Sequence, residues 1–486
     1  MKLTSLLKNI EVIQISGRAK LPIEGIAYDS REIKPGWLFI AVPGEHCDGA
    51  DYIAEAVANG AAAVVSEGRV NLGADVAHVQ VANARRALAE IACRFHGDLT
   101  KKMNVVGITG TNGKTTTAFM ARDILRACGA HPGLIGTVAY EDGHRSIPAA
   151  RTTPEAPEIH SLLQRMSEAG CDSVVMEVSS HAIAMERVHG IRFNTVVFTN
   201  LTQDHLDFHN DMESYFDVKA ELFRRLEKKK GCAAVINIDD PWGRKLVADP
   251  RVQAKVLTYG FSADAMVCAA KAKLDSGGTS FKVATPWGSA RIRLQLLGRF
   301  NVNNALAAIA VGGLNGITLK CMAKTLKNIA AIPGRLEAVP NRKGKKIFVD
   351  YAHTDDALKN VLETLREICK GRLVVVFGCG GNRDAGKRAK MGKVAAELAD
   401  YSIITSDNPR NEEPSAIVGQ ILEGFATPEQ FEVVLDRRAA IEKGIRSTGR
   451  KDILLIAGKG HETYQEIRGT VIPFDDRETV KELVGR

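Results

Sequence analysis

The chain has 486 residues, about three times the length of a typical domain, so we expect three domains. Its 45% hydrophobic and 25% charged residues are typical of a globular protein and exclude general disorder. The net charge of +8 is distributed over the whole length, and the longest run of like charge is Lys228-Lys229-Lys230. Only 6% of residues are aromatic. Both observations disfavour a nucleic-acid-binding protein.

Predicted strands and helices alternate along the chain, which indicates α/β domains. The first block contains strands at 38–42 and 61–65 and a helix at 51–59. The second contains strands at 103–109, 173–178, 195–199 and 233–238 and helices at 115–128 and 214–226. The third contains strands at 346–350, 373–377, 401–405 and 453–457 and a helix at 355–369.

The dipeptide Pro333-Gly334 marks the boundary between the second block and the third. We therefore expect a small N-terminal α/β domain at 1–98, a central domain at 99–332 and a C-terminal domain at 333–486. The central domain is expected to hold a parallel, doubly wound sheet, and the C-terminal domain a second, separate α/β sheet.

Cysteine usage and the N-terminus both predict a cytoplasmic protein. Nine cysteines are scattered without a Cys-x-x-Cys pair, which argues against a disulfide framework and against a structural zinc site. The first 17 residues include Lys8, Glu11 and Gln14 and lack the apolar stretch of a signal peptide. No window approaches the ~18 apolar residues of a membrane span, so we expect no membrane association.

A glycine-rich loop, Gly110-Thr111-Asn112-Gly113-Lys114-Thr115-Thr116, lies between a predicted strand and a predicted helix. Loops of this kind bind phosphates through backbone N–H groups and the helix N-terminus. Lys114 is expected to reach the β- and γ-phosphates of ATP, and the Thr115 hydroxyl to bind Mg²⁺. Ile108 stands where the usual pattern has its first glycine, so the loop is a shortened variant.

Acidic and histidine residues follow two of the predicted strands. Glu177 lies near the end of the predicted strand 173–178. Ligands bind at the carboxyl ends of parallel strands, so one interpretation is that its carboxylate holds Mg²⁺. The other is that it caps the next helix. The segment 200–209 follows the predicted strand 195–199 and contains two histidines and two aspartates, at a spacing that fits no standard zinc pattern. Mg²⁺ prefers oxygen ligands and would accept at most one of these histidines.

Lys219 lies on the apolar stripe of its predicted helix, beside Tyr215, Val218, Leu222 and Leu226. A buried ammonium is costly, so one interpretation is that the side chain extends to the surface. The other is that CO₂ converts the amine to a carbamate, which is a metal-binding anion. The residues alone leave both interpretations open.

Three predicted strand ends of the third block are followed by charged residues, Arg383, Arg410 and Glu462. Two guanidinium groups and a carboxylate suit a zwitterionic ligand, because Arg binds carboxylates with two hydrogen bonds. The nearby Gly378-Cys379-Gly380 resembles a dinucleotide-binding turn, but Arg383 replaces the last glycine of that pattern, so NAD binding is not expected.

Together these motifs resemble those of the Mur ligase family over essentially the whole chain. The segments that carry the resemblance are Asp29 to Arg31, the glycine-rich loop, Glu177 to His181, Thr199 to Leu201 with Asp204 to Asp207, Lys219, Asp350 to His353, Asp407 to Arg410 and Gly458 to Glu462. The resemblance implies a UDP-binding N-terminal domain, a central P-loop ATPase and a Rossmann-like C-terminal domain for an amino acid. It also implies that Lys219 is the carbamylated lysine (N6-carboxylysine) of the family.

The resemblance also implies site residues, matched motif by motif. Catalysis and Mg²⁺ binding would involve Lys114, Thr115, Glu177, His205 and carbamylated Lys219. ATP would be bound by Gly110, Thr111, Asn112, Gly113, Lys114, Thr115, Thr116, Asn301, Arg335 and Asp350. The UDP-muramoyl-dipeptide would be bound by Tyr28, Ser30, Glu45, His46, Cys47, Thr152, Thr153, Ser179, Arg187 and Met185, where the family often has glutamine. The amino acid would be bound by Arg383, Asp407, Asn408, Pro409, Arg410, Gly458 and Glu462.

The implied activity is an ATP-dependent ligase of peptidoglycan synthesis. It would form an acyl phosphate on the D-Glu γ-carboxylate of UDP-N-acetylmuramoyl-L-Ala-D-Glu and add meso-diaminopimelate, whose extra carboxylate Arg410 would bind. Its partners would be small molecules only, and it would act as a monomer. The alternatives are a lysine-adding or dipeptide-adding Mur ligase, a folylpolyglutamate synthetase, and a P-loop kinase or regulatory NTPase.

Overall fold

The computed structural model describes residues 1–44, 47–73, 75–204, 208–229, 231–275 and 277–485. Over these ranges the strands form three sheets and one separate hairpin. Glu45, His46 and His205, to which the family resemblance gives substrate or metal roles, lie outside the described residues. Within the same ranges, no helix is both long enough and apolar enough to cross a membrane.

The first sheet belongs to the small N-terminal unit. Its strands are β1 (Val12–Ser16), β2 (Ile26–Ala27), β3 (Leu38–Ile40), β4 (Ala63–Ser66) and β5 (Ala77–Val81), and the helices of this unit are α1 (Leu3–Leu6), α2 (Ile53–Ala58) and α3 (Ala84–Phe95). The strand order is β1-β5-β4-β3-β2, with β1 antiparallel to β5 and the other pairs parallel. The predicted helix at 51–59 starts with a 3₁₀ turn, Gly49–Tyr52, and becomes α-helical only at α2.

The second sheet has eleven strands and is mixed, which corrects the expectation of a wholly parallel sheet. The strands are β6 (Asn104–Thr109), β7 (Pro132–Ile135), β8 (Ala139–Glu141), β9 (Ser146–Pro148), β10 (Ser173–Glu177), β11 (Thr195–Phe198), β12 (Ala233–Asn237), β13 (Lys255–Gly260), β14 (Val267–Asp275), β15 (Gly278–Thr285) and β16 (Gly288–Leu294). Parallel strands in the order β13-β12-β11-β6-β10-β7 form its centre. The flanks β14-β15-β16 and β7-β8-β9 are antiparallel, because each consecutive pair is joined by a short turn.

Helices cover both faces of the parallel centre. They are α4 (Lys114–Ala127), α5 (Ala156–Glu168), α6 (Ser180–Ala184), α7 (Met212–Arg224), α8 (Pro241–Val247), α9 (Arg299–Leu314) and α10 (Leu319–Asn328). Side chains of a strand alternate between faces, so Val106 packs with α4 and α9 while its neighbour Val105 packs with α5 and α7. Both faces are therefore buried, which explains why these strands are almost continuously apolar.

The third sheet confirms the predicted separate α/β unit, with all four predicted strands ending within one residue of the expected positions. Its strands are β17 (Glu337–Ala338), β18 (Lys346–Asp350), β19 (Leu373–Phe377), β20 (Tyr401–Ile404), β21 (Phe431–Val433) and β22 (Ile453–Ala457). They are ordered β17-β18-β22-β19-β20-β21 and parallel except for β17. The remaining elements are α11 (Asp355–Ile368), α12 (Arg388–Leu398), α13 (Pro414–Leu422), α14 (Arg437–Ser447), the hairpin β23 (Tyr464–Ile467) and β24 (Thr470–Pro473), and α15 (Asp476–Val484).

His160 on α5 gives the fold a testable pH dependence. Its side chain is buried, its Nε2 has no hydrogen-bond partner among the described residues, and burial lowers its pKa to about 4. The unfolded chain, with a histidine pKa of about 6.5, takes up the proton first, so stability present above that pH is lost as the pH falls toward 4. We expect His160→Leu to reduce the difference in unfolding free energy between pH 8 and pH 5 by about 2 kcal/mol, measured by urea unfolding. An unchanged difference would contradict this.

Candidate active site

The glycine-rich loop connects β6 to α4 at the carboxyl end of the central sheet. Gly110 and Gly113 have φ angles of 144° and 85°, which glycine adopts without strain. The backbone N–H groups of Thr111 and Asn112 donate to the main-chain and side-chain oxygens of Asn200, at 2.9 and 2.8 Å. The segment after β11 therefore holds the loop in a fixed shape at the N-terminus of a helix, where an anion binds favourably.

Glu177 lies fully buried at the end of β10, the strand next to β6. The Thr115 hydroxyl donates to Glu177 Oε2 at 2.9 Å. Thr137 adds two hydrogen bonds to the same carboxylate, from its N–H to Oε1 at 2.9 Å and from its hydroxyl to Oε2 at 3.0 Å. A carboxylate and a hydroxyl in contact beside a phosphate-binding loop form the kind of oxygen donor set that suits Mg²⁺.

Lys114 and Lys219 converge on one carbonyl group. Lys114 Nζ donates to the carbonyl oxygens of Gly110 and the next residue at 2.9 and 2.7 Å, and Lys219 Nζ donates to Gly110 at 3.1 Å. Lys219 is buried over the Tyr215 ring, so the interpretation that it extends to the surface is wrong. Burial and the neighbouring Lys114 lower the pKa of Lys219 well below its usual value, against an opposing effect of Asp204. The environment thus favours a neutral amine.

A cavity of about 130 Å³ lies between the glycine-rich loop and the third sheet. Asn112 and Asn304 line one wall, and Tyr351 and Asp356 line the other. Asn112 Nδ2 donates to Asp356 Oδ2 at 2.9 Å and so links the two walls. Asn301 lies behind the cavity, where its Oδ1 accepts a hydrogen bond from Asn304 Nδ2 at 3.0 Å. Of the predicted ATP-binding residues, those that line the cavity are Asn112, Gly113, Thr116, Arg335 and Asp350.

Arg335 and Asp350 connect the third sheet to the loop region. Arg335 Nη2 donates to the Thr115 hydroxyl at 2.9 Å, and its guanidinium lies over the Tyr351 ring. The carboxylate of Asp350, at the end of β18, accepts hydrogen bonds from two backbone N–H groups, with N···O distances of 2.5 and 2.7 Å. Burial raises the pKa of Asp350 to about 6, against the opposing effect of Arg335. The third sheet therefore contributes one cation and one buried carboxyl to the cavity.

Thr152, Thr153 and Ser179 surround the end of β10. The Thr152 hydroxyl lies 3.1 Å from the hydroxyl of Thr137, and the Thr153 hydroxyl donates to the Glu177 carbonyl at 2.9 Å. The Ser179 hydroxyl caps α6 and lies 3.4 Å from that of Thr153. The three hydroxyls thus form a polar cluster around the end of β10, beside Glu177.

Arg187 continues this cluster toward the first sheet. Its Nη1 donates to the Thr153 carbonyl at 3.1 Å, and its Nη2 lies 2.7 Å from Glu155 Oε1 and 3.6 Å from the thioether of Met185. A thioether is a weak acceptor, so Met185 contributes little to holding the guanidinium. Arg187 is therefore positioned chiefly by Glu155.

The predicted substrate-binding residues of the N-terminal unit differ in which unit they contact. The Tyr28 hydroxyl donates to Glu158 Oε1 at 2.8 Å, which connects the first sheet to α5, and the pKa of Tyr28 is raised by burial and by Glu158. The Ser30 hydroxyl donates to Glu55 at 2.8 Å, and Cys47 is exposed. Tyr28 thus faces the central unit, whereas Ser30 is bonded within its own.

The loops after β20 and β22 form a second polar site, at the carboxyl edge of the third sheet. Asn408 Nδ2 donates to Glu462 Oε2 at 2.9 Å, and Asn408 Oδ1 accepts the backbone N–H of Glu466 at 3.0 Å. Asp407 Oδ1 accepts the N–H of Asn408 at 2.7 Å. Gly458 has a φ angle of 110°, and a Cβ there would contact the Asp407 carboxylate. Residues from two strand ends therefore meet in one hydrogen-bonded group.

Arg410 lies beside this group with a left-handed φ of 52°. Its Nη1 donates to the Gly381 carbonyl at 2.7 Å, and its Nε lies 3.3 Å from a carboxylate oxygen of Glu466. No hydrogen bond from Nη2 is made to the described residues, so one edge of the guanidinium is available to a ligand. Pro409 is buried next to it, and Arg383 is exposed.

A buried ion pair supports both loops from behind. Arg437 on α14 and Asp476 on α15 are fully buried, with the Arg437 Nε and Nη2 2.8 and 2.7 Å from the Asp476 carboxylate oxygens. The same guanidinium donates to the carbonyls of Ser406 and Ala457, at 3.2 and 3.0 Å. These carbonyls precede the two polar loops, so Arg437 fixes the distance between them.

Comparison with known proteins identifies a family for each of the three units of this chain. The Mur ligase family, catalytic domain, matches residues 22–96, the Mur ligase middle domain matches 108–312, and the Mur ligase, glutamate ligase domain, matches 334–460. A UDP-N-acetylmuramoyl-L-alanyl-D-glutamate--2,6-diaminopimelate ligase of Caldanaerobacter subterraneus is 44% identical over 485 residues, which cover 100% of this chain and 99% of the relative. The chain belongs to the Mur ligase family.

Two further relatives of this Mur ligase are similar over their full length. The ligase of the same name from Clostridium tetani is 42% identical over 489 residues, with 100% of this chain and 99% of the relative covered. A solved structure of a ligase of that name has 31% identity and a TM-score of 0.70, with 100% and 98% of the two chains covered. The three-unit α/β architecture predicted from the family resemblance is therefore confirmed.

Sequence reasoning missed several residues at the two sites of this Mur ligase. Thr137 holds the Glu177 carboxylate, Tyr351 stacks under Arg335, and Arg437 supports both polar loops. Lys459 lies inside the Gly458 to Glu462 motif but was given no role. Tyr351 and Lys459 could have been found as members of quoted motifs, whereas Thr137 and Arg437 belong to no motif.

Proposed function

We propose that this Mur ligase is an ATP-dependent enzyme that adds meso-diaminopimelate to the D-Glu γ-carboxylate of UDP-N-acetylmuramoyl-L-Ala-D-Glu. The observation that carries the proposal is the full-length match, at 42 to 44% identity, to ligases whose name states this reaction. The polar site around Arg410 supports the choice of a substrate with a second carboxylate.

The chemistry requires ATP because a carboxylate is a poor electrophile. Its oxygen attacks the γ-phosphorus of ATP, the bond to ADP breaks, and an acyl phosphate forms. The amine of the incoming amino acid then attacks the acyl carbon, phosphate leaves with the bonding electrons, and the amine loses a proton. Lys114 stabilises the charge on the transferred phosphoryl group, and holding three substrates together supplies much of the acceleration, ~7–11 kcal/mol in favourable cases.

Mg²⁺ is the metal that the Thr115 and Glu177 oxygens fit. When bound, it would neutralise charge on the phosphates. Thr137 keeps both Glu177 oxygens oriented, and Arg335 holds the Thr115 hydroxyl from the other side of the cavity. His205 is assigned to the metal by family resemblance.

Lys219 is proposed to carry the carbamate. Its amine is buried 3.1 Å from the Gly110 carbonyl and close to the Lys114 ammonium, where a second cation is unfavourable. Reaction of the neutral amine with CO₂ forms a C–N bond, opens one C=O bond of CO₂ and releases a proton, which leaves an anion at a position that disfavours a cation. The new carboxylate would attract Lys114 and bind metal.

The three units are proposed to divide the binding of the substrates between them. Residues 1–98, through Tyr28, Ser30 and the segment 45–47, bind the UDP end, and the hydroxyls beside Glu177 with Arg187 bind the muramoyl-dipeptide. Residues 99–332 bind ATP, and residues 333–486 bind the amino acid. We propose that the enzyme acts as a monomer.

The amino-acid site is proposed to bind both a carboxylate and an ammonium group of the substrate. Arg410 would bind the distal carboxylate and Glu462 an ammonium, while Asp407, Asn408, Pro409 and Gly458 shape the loops between them. Arg383 would assist from the exposed edge. Lysine lacks the distal carboxylate and would leave the free edge of Arg410 without a partner.

The experiment that tests the function is phosphate release from ATP with UDP-N-acetylmuramoyl-L-Ala-D-Glu and either meso-diaminopimelate or L-lysine. Turnover with diaminopimelate alone is expected. Turnover with lysine would preserve the mechanism and overturn the role of Arg410. ATP hydrolysis that needs no amino acid would favour a P-loop NTPase of another class.

Arg410→Ala is expected to raise the KM for diaminopimelate by about 30-fold, because it removes a partly buried partner of the distal carboxylate. The KM for ATP should not change. Arg438→Ala, which removes an exposed arginine paired with Glu482, is the control. A similar rise in both KM values would contradict the assignment.

A further inference from the structure

A fully buried lysine lies between the two polar loops of the third sheet. Lys459 follows β22 by two residues, and none of its side chain is exposed. Its Nζ donates to Glu462 Oε2 at 2.9 Å and to Asn408 Oδ1 at 3.1 Å, and it lies 5.4 Å from the centre of the Tyr464 ring. The reaction proposed above uses no ammonium at this position.

Burying an ammonium is costly unless a partner compensates for the lost hydration. Here the partner is Glu462, whose Oε2 accepts hydrogen bonds from both Lys459 and Asn408. Among the described residues, none donates a hydrogen bond to Oε1, and the Glu462 side chain is 17% exposed. One oxygen is therefore fixed by the protein and the other is available to a ligand.

The charges around Glu462 make this arrangement dependent on Lys459. Burial and the nearby Asp407 raise the pKa of Glu462, whereas Lys459 and the hydrogen bond from Asn408 lower it. The charged and titratable groups that face Glu462 are Lys459, Asp407, Arg437, Tyr351 and Tyr464. Arg437 is already paired with Asp476, so Lys459 is the cation that contacts Glu462 directly.

We propose that Lys459 is a positioning residue that keeps Glu462 anionic and oriented, so that Oε1 binds an ammonium group of the amino-acid substrate. The inference rests on the proposed function, because it needs an amino acid in the third sheet's polar site. Lys459 does not touch the substrate and acts only through Glu462 and Asn408.

The role predicts a change in pH dependence. In Lys459→Met, Glu462 would face Asp407 without its cation, and its pKa would rise further. A carboxyl with a raised pKa is protonated at higher pH, and a neutral carboxyl binds an ammonium poorly. The KM for diaminopimelate of this variant should therefore increase as the pH falls from 8.5 to 6.5, more steeply than for the unmodified enzyme.

A double-mutant cycle separates this role from general stabilisation. We expect Lys459→Met and Glu462→Gln each to raise the KM for diaminopimelate by about 30-fold and to leave the KM for ATP unchanged. The double variant should be no worse than Glu462→Gln alone, because Lys459 acts through Glu462. Lys481→Met is the matched control, since Lys481 pairs with Glu478 at the same i, i+3 spacing on the surface.

The outcomes are distinct. KM effects that multiply in the double variant, or an equal rise in the KM for ATP, would overturn the proposal in favour of a structural role. If Lys459→Met does not fold, Lys459→Gln, which keeps a hydrogen-bond donor, is put through the same cycle and judged by the same criteria. If the unmodified enzyme releases no phosphate in response to diaminopimelate, the proposed function itself has failed.

Discussion

Lys219→Ala should lower ligase turnover by about 10²–10³-fold, the usual cost of losing one charge-stabilising group at a reacting centre. The side chain is buried on α7, and its Nζ lies 3.1 Å from the glycine-rich loop, so its carbamate would act directly beside the phosphates. Alanine leaves a space next to the Tyr215 ring that a small carboxylate can enter. Formate or acetate should therefore restore part of the activity, measured as phosphate release.

The control for this variant is Glu221→Ala, on the same helix, whose side chain is 40% exposed. It should keep full activity and the same thermal unfolding midpoint. The carbamate itself is tested by adding ¹³C-bicarbonate, which should give a carbamate ¹³C resonance in the unmodified enzyme and none in Lys219→Arg. Full activity of Lys219→Ala, or the same resonance in Lys219→Arg, would contradict the assignment.

Lys114→Met should lower turnover by about 10³-fold, because it removes the ammonium that stabilises the transferred phosphoryl group. A second effect follows from geometry, since Lys114 and Lys219 donate to the same Gly110 carbonyl. Without Lys114 the pKa of Lys219 rises and a carbamate loses its nearest cation. The carbamylated fraction should therefore fall together with the activity, measured by the same ¹³C signal.

Lys393→Met provides the comparison, because Lys393 is exposed on α12 and, among the described residues, forms an ion pair only with Glu397. It should match the unmodified enzyme in turnover and in carbamate signal. A Lys114→Met enzyme that loses turnover but keeps its full ¹³C signal would separate the two effects and refute the coupling. One that keeps its turnover would refute the role of Lys114 at the γ-phosphate.

Of the parallel strands in the central sheet, β6, β10, β11 and β12 were predicted, because burial on both faces makes them continuously apolar, as at Val105, Val106 and Ile108. The parallel strands β7 and β13 were not predicted. Strands β14 to β16 were not predicted. One of their faces is exposed, and charged residues such as Lys273, Lys282 and Arg291 interrupt the apolar pattern. Their pairing depends on neighbours distant in sequence, which local patterns do not contain.

The same distinction applies to the sites. The glycine-rich loop and the segment Asp407 to Arg410 are each continuous in sequence, so their residues could be predicted as candidate site residues from the motif alone. Thr137 lies 40 residues before Glu177 and meets it only because β7 lies next to β10 in the sheet. The sequence likewise did not decide whether Lys219 is buried, because an apolar stripe on a helix does not show which residues cover the end of the lysine side chain.

The ion pair between Arg437 and Asp476 has a consequence for how the two sites differ in construction. It anchors both polar loops to the third sheet through the carbonyls of Ser406 and Ala457, so the proposed amino-acid pocket is formed before its ligand binds. Across the cavity beside the glycine-rich loop, by contrast, hydrogen bonds between side chains join the two walls, among them Arg335 to Thr115 and Asn112 to Asp356. The contacts between the cavity walls and the proposed recognition surface are thus separate parts of the protein. Under the proposed roles, substitutions in the polar loops should alter which amino acid is accepted while ATP binding stays intact, so these loops are the place to begin redesigning this ligase for a different side chain.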